Sequence, residues 1–285
     1  MKILITGAGG MLGQVLVAEL SQQHDVLACS RATLDVTDRV AVTNKVQSFA
    51  PDLILHAAAY TNVETAETDP DAAYQANMIA SQNLAESLSG SQALMIYISS
   101  TGVYGLAKAE DTYTELDEPA PTTHYHRSKL AGEQVTLAYA PRALVLRTGW
   151  LFGGDKSQAK NFVYKRYLEA QGKTVMHSDP TQRGNPTYVL DLVAQIRLLI
   201  DSSCLGVYNC VNDGAATRLE YVQEIINAFS VDCRVEANPD GAFERVAPVS
   251  PNESASNYLL KLRGLDVMPN WKTSLKKYVS QLSSD

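Results

Sequence analysis

Five short apolar runs mark the first half of the chain, at residues 2–6, 25–29, 52–57, 94–99 and 143–148. Each is short enough for a buried strand and ends in small or polar residues. Between the runs the spacing becomes helical. Leu12, Leu16 and Leu20 share one face, as do Ala73, Asn77, Ala80 and Leu84. Strand–helix alternation of this kind predicts an α/β fold of the Rossmann type, a doubly wound parallel sheet with helices on both faces. Such sheets bind ligands beyond the carboxyl ends of their strands.

After about residue 150 the pattern changes. Gly153-Gly154 opens a loop, a helix is expected at about 161–170, and the polar stretch Ser178 to Pro186 reads as loop. A helix at about 188–201 precedes a strand at Val207 to Val211, and helices follow at about 217–229, 254–263 and 273–283. Prolines between 239 and 251 mark another loop. These elements suggest a dinucleotide-binding domain over 1–150, with about 187–212 returning to it. Residues 151–186 and 213–285 are expected to form a smaller C-terminal α/β substrate lobe.

The 285 residues carry a net charge of −7, which gives no electrostatic support for a nucleic-acid partner. No apolar run reaches the ~20 residues of a membrane helix, and the short apolar start reads as a strand rather than a signal peptide. Cys29, Cys204, Cys210 and Cys233 form no Cys-x-x-Cys pair and stand near no histidine cluster. Core thiols in a reducing cytoplasm are therefore expected, and no ligand cluster indicates a metal.

The first run leads into Gly7-Ala8-Gly9-Gly10-Met11-Leu12-Gly13. Gly7 permits a tight turn, Gly10 lets backbone amides approach a pyrophosphate, and Gly13 lets the helix pack close to the sheet. Dinucleotide sites often carry an acid at the end of the second strand for the adenine ribose. Here that strand ends Ala28-Cys29-Ser30-Arg31. A hydroxyl and a guanidinium suit a 2′-phosphate, so NADPH is expected over NADH. Asp35 is assigned to the adenine amino group, beside Val36.

Two Tyr-x-x-x-Lys spacings occur. Tyr104 and Lys108 are separated by Gly105 just after a strand, so a shared helix face is not expected. Tyr125 and Lys129 begin a better helix, after Pro119 and Pro121. Residues four apart share a face, so the Lys129 ammonium is expected to lower the Tyr125 phenol below its ordinary value near ~10. Ser99-Ser100-Thr101 follows the fourth strand, and Ser100 is the expected hydroxyl donor to a substrate oxygen. A dinucleotide loop with an activated tyrosine points to hydride transfer at a carbonyl or alcohol.

The glycine loop, Ser-Ser-Thr-x-Val-Tyr-Gly and Tyr-x-x-x-Lys, in this order, resemble the extended short-chain dehydrogenase/reductase superfamily. More narrowly, the chain resembles the dTDP-4-dehydrorhamnose reductase family. Matching runs include His56-Ala57-Ala58-Ala59-Tyr60-Thr61-Asn62-Val63, Arg127-Ser128-Lys129-Leu130-Ala131-Gly132-Glu133, Arg147-Thr148-Gly149-Trp150 and Gly184-Asn185-Pro186-Thr187-Tyr188. The reductases usually show Thr-Asp-Tyr where this chain has Ser100-Thr101-Gly102.

The resemblance implies reduction of a sugar C4 carbonyl in a nucleotide-sugar substrate. Tyr125 would donate the proton, Lys129 would hold the nicotinamide ribose, and Ser100 would bond the carbonyl. Ala57, Ala58, Tyr60 and Ser99 would lie along the cofactor, with Gly7, Gly10, Met11, Leu12, Gly13, Ser30, Arg31, Asp35 and Val36. Val63, Thr101 and Trp150 would border the sugar; Asn161, Gln182 and Asn185 would reach the diphosphate end. Two alternatives stay open: an epimerase with retained NAD, and a non-catalytic regulatory subunit resembling the methionine adenosyltransferase partner. A homodimer is also left open.

Overall fold

The computed structural model describes residues 1–106, 108, 111–158, 160–239 and 245–284. All five apolar runs form strands: β1 (Lys2–Thr6), β2 (Asp25–Cys29), β3 (Leu53–His56), β4 (Leu94–Ser100) and β5 (Arg142–Thr148). Beyond them come β6 (Trp150–Phe152), β7 (Val175–Ser178), β8 (Arg183–Gly184), β9 (Pro186–Tyr188), β10 (Gly206–Asn209), β11 (Ala216–Thr217) and β12 (Arg234–Ala237). Six strands make one sheet in the order β10-β5-β4-β3-β1-β2, and every pairing in it is parallel. Strand order reverses beside β1, the switch point at which such sheets bind ligands.

The helices are α1 (Met11–Leu20), α2 (Arg39–Phe49), α3 (Val63–Thr68), α4 (Pro70–Tyr74), α5 (Ala80–Ser87) and α6 (His124–Tyr139). They continue as α7 (Phe162–Ala170), α8 (Val189–Asp201), α9 (Arg218–Ala228), α10 (Tyr258–Leu262) and α11 (Trp271–Ser284). Alternate strand residues serve opposite faces. Ile3, Ile5, Leu53, Leu55 and Ile96 join a core with Leu12 and Leu16 of α1, Leu192 and Ile196 of α8, and Leu275 of α11. Leu4, Ile54 and Met95 face the other way, onto Val42 and Val46 of α2 and Leu84 of α5.

Three features differ from the sequence pattern. The polar stretch 178–186 contains β8 and the start of β9; β8 pairs with β11, and β9 pairs with β6. The helix expected from 254 begins only at Tyr258. Asn252 Oδ1 accepts from the backbone and hydroxyl of Ser254, and Ala255 bridges to Tyr113, so this segment turns locally. Between α4 and α5, residues Gln75–Ile79 form one π-helical turn around Asn77. Of the expected 239–251 loop, residues 240–244 lie outside the described residues. The four cysteines are buried and unpaired. Among the described residues no helix is long and apolar enough to cross a membrane.

At the end of β3, the buried His56 Nδ1 pairs with Thr6 Oγ1 at 2.7 Å. Burial, reinforced by the Lys129 charge, pushes this imidazole down to about 3. The unfolded chain takes up the proton near the ordinary value of ~6.5. His56 therefore withdraws stability as pH falls below that value, and the loss levels off near about 3. Denaturant unfolding between pH 7 and 4 is expected to show a shallower pH slope in His56→Gln than in the wild type.

Candidate active site

The β1–α1 turn is built on glycine. Gly7 sits at φ +69°, where a Cβ would stand 2.6 Å from the Ala58 nitrogen and 2.7 Å from the Ala57 carbonyl carbon. The loop thus lies directly against the segment leaving β3. The Gly10 N–H closes the turn on the Gly7 oxygen at 2.9 Å, and a Cβ on Gly13 would lie 2.1 Å from that oxygen. Gly10 caps α1 with no side-chain bond, and the first turn holds no acid. The leading N–H groups of Met11 and Leu12 remain available, with the positive end of the helix dipole, for an anion.

Ser30 and Arg31 follow β2 beside this loop, where the Ala8 N–H donates to the Cys29 oxygen at 3.1 Å. Arg31 is exposed. Asp35 accepts from the hydroxyl and N–H of Thr37, at 2.7 and 3.0 Å, which holds its carboxyl below the ordinary carboxylate value. Val36 is buried, and its carbonyl accepts from Asn83. The Tyr60 backbone is clamped by the Asn77 amide, which accepts from its N–H at 2.9 Å and donates to its oxygen at 3.2 Å. The same Asn77 Nδ2 donates to Ser128 on α6 at 2.8 Å. The π turn therefore ties the cofactor-side loop to the helix bearing Tyr125.

Thr123 caps α6 by accepting from the His126 N–H at 3.1 Å, so Tyr125 and Lys129 both fall in the first two turns. Ser100 ends β4, and its Oγ accepts from the Gly102 N–H at 3.2 Å, capping the 3-10 turn Thr101–Tyr104. The Lys129 ammonium is buried. It donates to the Ile98 oxygen at 2.6 Å and lies 4.1 Å from the Tyr97 ring centroid. Burial pushes it down to about 7, against the pull of Glu133.

This corrects the expectation that Lys129 lowers the phenol. Among the described residues no hydrogen bond or ion pair joins the two side chains. Burial, with the nearby Glu253 charge, instead pushes the Tyr125 phenol above its ordinary value. Its ring packs on His126, with centroids 4.8 Å apart. The other pair, Tyr104 and Lys108, belongs to the framework. Tyr104 donates to Asn209 Oδ1 at 2.8 Å, and Lys108 pairs with Asp117 at 2.9 Å.

The substrate-side expectations divide. Val63 opens α3 and is half-buried. Trp150 is half-buried; its Nε1 donates to Glu253 Oε2 at 3.1 Å, and its ring stacks under the Arg218 guanidinium. Gln182 Oε1 accepts from Arg218 Nε at 3.2 Å. Other side chains are engaged by the fold, which revises their expected roles. Ser99 donates to Glu133 at 2.5 Å, and the Thr101 side chain is buried. Asn161 caps α7 and donates to the Tyr278 hydroxyl at 2.6 Å. Asn185 bonds the backbones of Gly214 and Ala255 from a fully buried position.

A family model described as the RmlD substrate binding domain matches residues 1–284. The chain belongs to that family. It is 34% identical over 98% of its length to a dTDP-4-dehydrorhamnose reductase of Mycolicibacterium smegmatis, covering 85% of that protein. A crystal structure of a dTDP-4-dehydrorhamnose reductase from Clostridium acetobutylicum superposes with a TM-score of 0.94 at 31% identity, covering 99% of this chain and 100% of the other. That of the Bacillus anthracis dTDP-4-dehydrorhamnose reductase, in complex with NADP, gives 0.92 at 31% identity and covers 98% and 99%. This member of the RmlD substrate binding domain family is an NAD(P)-dependent oxidoreductase.

Four residues of this family member stand close to the expected site without having been singled out by the sequence: Asn77, His126, Arg218 and Glu253. His126 Nε2 lies 3.9 Å from Glu253 Oε1, and a Cβ on Gly102 would fall 2.1 Å from that nitrogen. Gly102, in the position where the resembling reductases carry tyrosine, is therefore what admits the imidazole. The departure at Ser100-Thr101-Gly102 was the one legible signal. Glu253 and Arg218 are isolated charges far along the chain, with no motif around them.

Proposed function

We propose that the chain reduces the C4 carbonyl of a nucleotide-activated 4-keto-6-deoxy sugar with NADPH, a reading supported by relatives named dTDP-4-dehydrorhamnose reductase. The observation that supports this most is that Ser100 ends β4, that the Lys129 ammonium reaches the Ile98 carbonyl of the same strand, and that Tyr125 lies one turn before Lys129 on α6.

The residues present fit the cofactor. The cap of α1 is a glycine that makes no side-chain bond, and α1 offers uncapped N–H groups. Gly7, Gly10, Met11, Leu12 and Gly13 would hold the diphosphate, and Ala57, Ala58 and Tyr60 would flank the far half. Ser30 and Arg31 would take the 2′-phosphate, with Asp35 and Val36 at the adenine. NADPH, when bound, supplies the hydride. Everything else falls to the chain. The Ser100 hydroxyl donates to the carbonyl oxygen and stabilises its growing negative charge. Tyr125, held protonated by its raised pKa, gives its proton to that oxygen. The transfer is favourable because an alkoxide is a stronger base than a phenolate. Lys129 fixes the nicotinamide ribose and, when charged, offsets the phenolate left behind.

Arg31→Ala is expected to lower the NADPH/NADH ratio of kcat/KM about 10- to 100-fold, because charge-assisted bonds to a phosphate are lost. Steady-state rates with both cofactors measure it. The substrate reading is tested by following NADPH absorbance with dTDP-, UDP- and GDP-linked 4-keto sugars. Consumption is expected with dTDP-4-dehydrorhamnose; absence of turnover across the panel would rule the reading out.

A further inference from the structure

The Trp150 indole carries opposite charges on its face and at its edge. The Arg218 guanidinium carbon lies 3.4 Å from a ring centroid. The indole N–H donates to the buried Glu253 carboxylate at 3.1 Å. Arg218 is itself tethered, since its backbone N–H donates to the Gln182 oxygen at 3.0 Å and its Nε to Gln182 Oε1. Among the described residues its terminal Nη groups donate to no group, and no carboxylate oxygen lies within 4.0 Å of the guanidinium. Burial pushes this arginine down to about 10, although Glu253 pulls the other way. Arg245 adds a second positive charge close enough to repel it.

A half-buried guanidinium keeps donors free for a ligand where no side chain takes them. Here one edge is bonded, the face is stacked, and the outer edge has no acceptor among the described residues. Stacking and tethering hold that edge in one orientation, which suits bidentate capture of a phosphate. The opposite end of the indole repels anions. Glu253 stands there, its charge felt by Tyr125 and its Oε1 facing His126.

We propose that Arg218 is the anion anchor of the substrate site, taking phosphate oxygens of the diphosphate in a nucleotide-linked sugar while the sugar runs along Trp150 toward Tyr125. The inference rests on the nucleotide-sugar reading of this same site. It transfers the diphosphate contact from Asn161 and Asn185, whose amides are engaged, to Arg218. It also gives the substrate a direction: anionic end at Arg218, neutral carbonyl end at Glu253 and Tyr125.

The test is calorimetric titration of the NADPH-saturated enzyme with dTDP, thymidine and inorganic pyrophosphate. Arg218→Gln is expected to weaken dTDP and pyrophosphate about 10- to 100-fold, with thymidine and NADPH affinities unchanged. Arg218→Lys, which keeps the charge but not the planar fork, is expected to recover part of the loss and serves if the glutamine variant does not fold. Unchanged dTDP affinity in the folded variants, or equal weakening of dTDP and thymidine, would overturn the anchor. The reductase reading fails separately. A wild type that binds dTDP through Arg218 yet turns over no keto sugar keeps the anchor and loses the reaction.

Discussion

Tyr125→Phe is expected to lower kcat/KM for keto-sugar reduction by about 100- to 10,000-fold, the range for losing a positioned proton donor. NADPH affinity should stay nearly constant, because the phenol makes no hydrogen bond among the described residues and its ring packing on His126 is kept. Fluorescence titration with NADPH, beside steady-state rates, separates the two effects. Tyr104→Phe is the control. It removes the bond to Asn209 and should cost about 1 kcal/mol of stability with little effect on rate. If Tyr104→Phe were the inactive variant and Tyr125→Phe the active one, the assignment of the proton donor would be wrong.

Glu133→Ala carries the largest expected cost to the fold. Glu133 accepts from Arg147 Nη2 at 2.7 Å and Nε at 3.0 Å, and from Ser99 Oγ at 2.5 Å, all of it buried. The guanidinium also lies 4.9 Å from the Tyr104 ring centroid. Removing the carboxylate leaves Arg147 charged and unpaired inside the protein, a loss of about 3–5 kcal/mol. Denaturant unfolding reads it. The pair Glu133→Gln with Arg147→Met should recover much of that, since neither side then buries an uncompensated charge. Glu133 is also the charge that counters the desolvation of Lys129. The stable double variant should therefore hold Lys129 neutral at lower pH and bind NADPH less well at neutral pH than the wild type.

The sheet was legible because β1, β3, β4 and β5 are largely buried and read as short apolar runs, while the less buried edge strand β2 still carries the run Val26-Leu27-Ala28-Cys29. The helices around it were legible where one face is apolar, as in α1 and α8. Short elements were not. β8 and β9 lie in a polar stretch whose backbone finds partners only from β11 and β6, which no local pattern announces. The start of α10 was misjudged for a similar reason, since the side chains of Asn252 and Ser254 compete with helical backbone bonding. Within the site, the spacing of Tyr125 and Lys129 correctly gave one helix face. It did not give the direction of a long lysine side chain, which reaches the Ile98 carbonyl instead of the phenol. Asn185 lies in a run that matches the family, and Asn161 was placed by the resemblance alone, yet neither reveals whether an amide faces a ligand or the backbone. Arg218 and Glu253 acquire meaning only when folding brings them to opposite sides of one indole.

The central claim is that a protonated Tyr125, with Ser100 and Lys129, completes a net reduction rather than returning the hydride. Incubation with NADPH deuterated at both C4 positions and dTDP-4-dehydrorhamnose, followed by mass spectrometry and NMR of the sugar, tests it most directly. One deuterium at sugar C4 for each NADPH consumed is the predicted result. A sugar without deuterium, with the cofactor still reduced or retained through turnover, would contradict it.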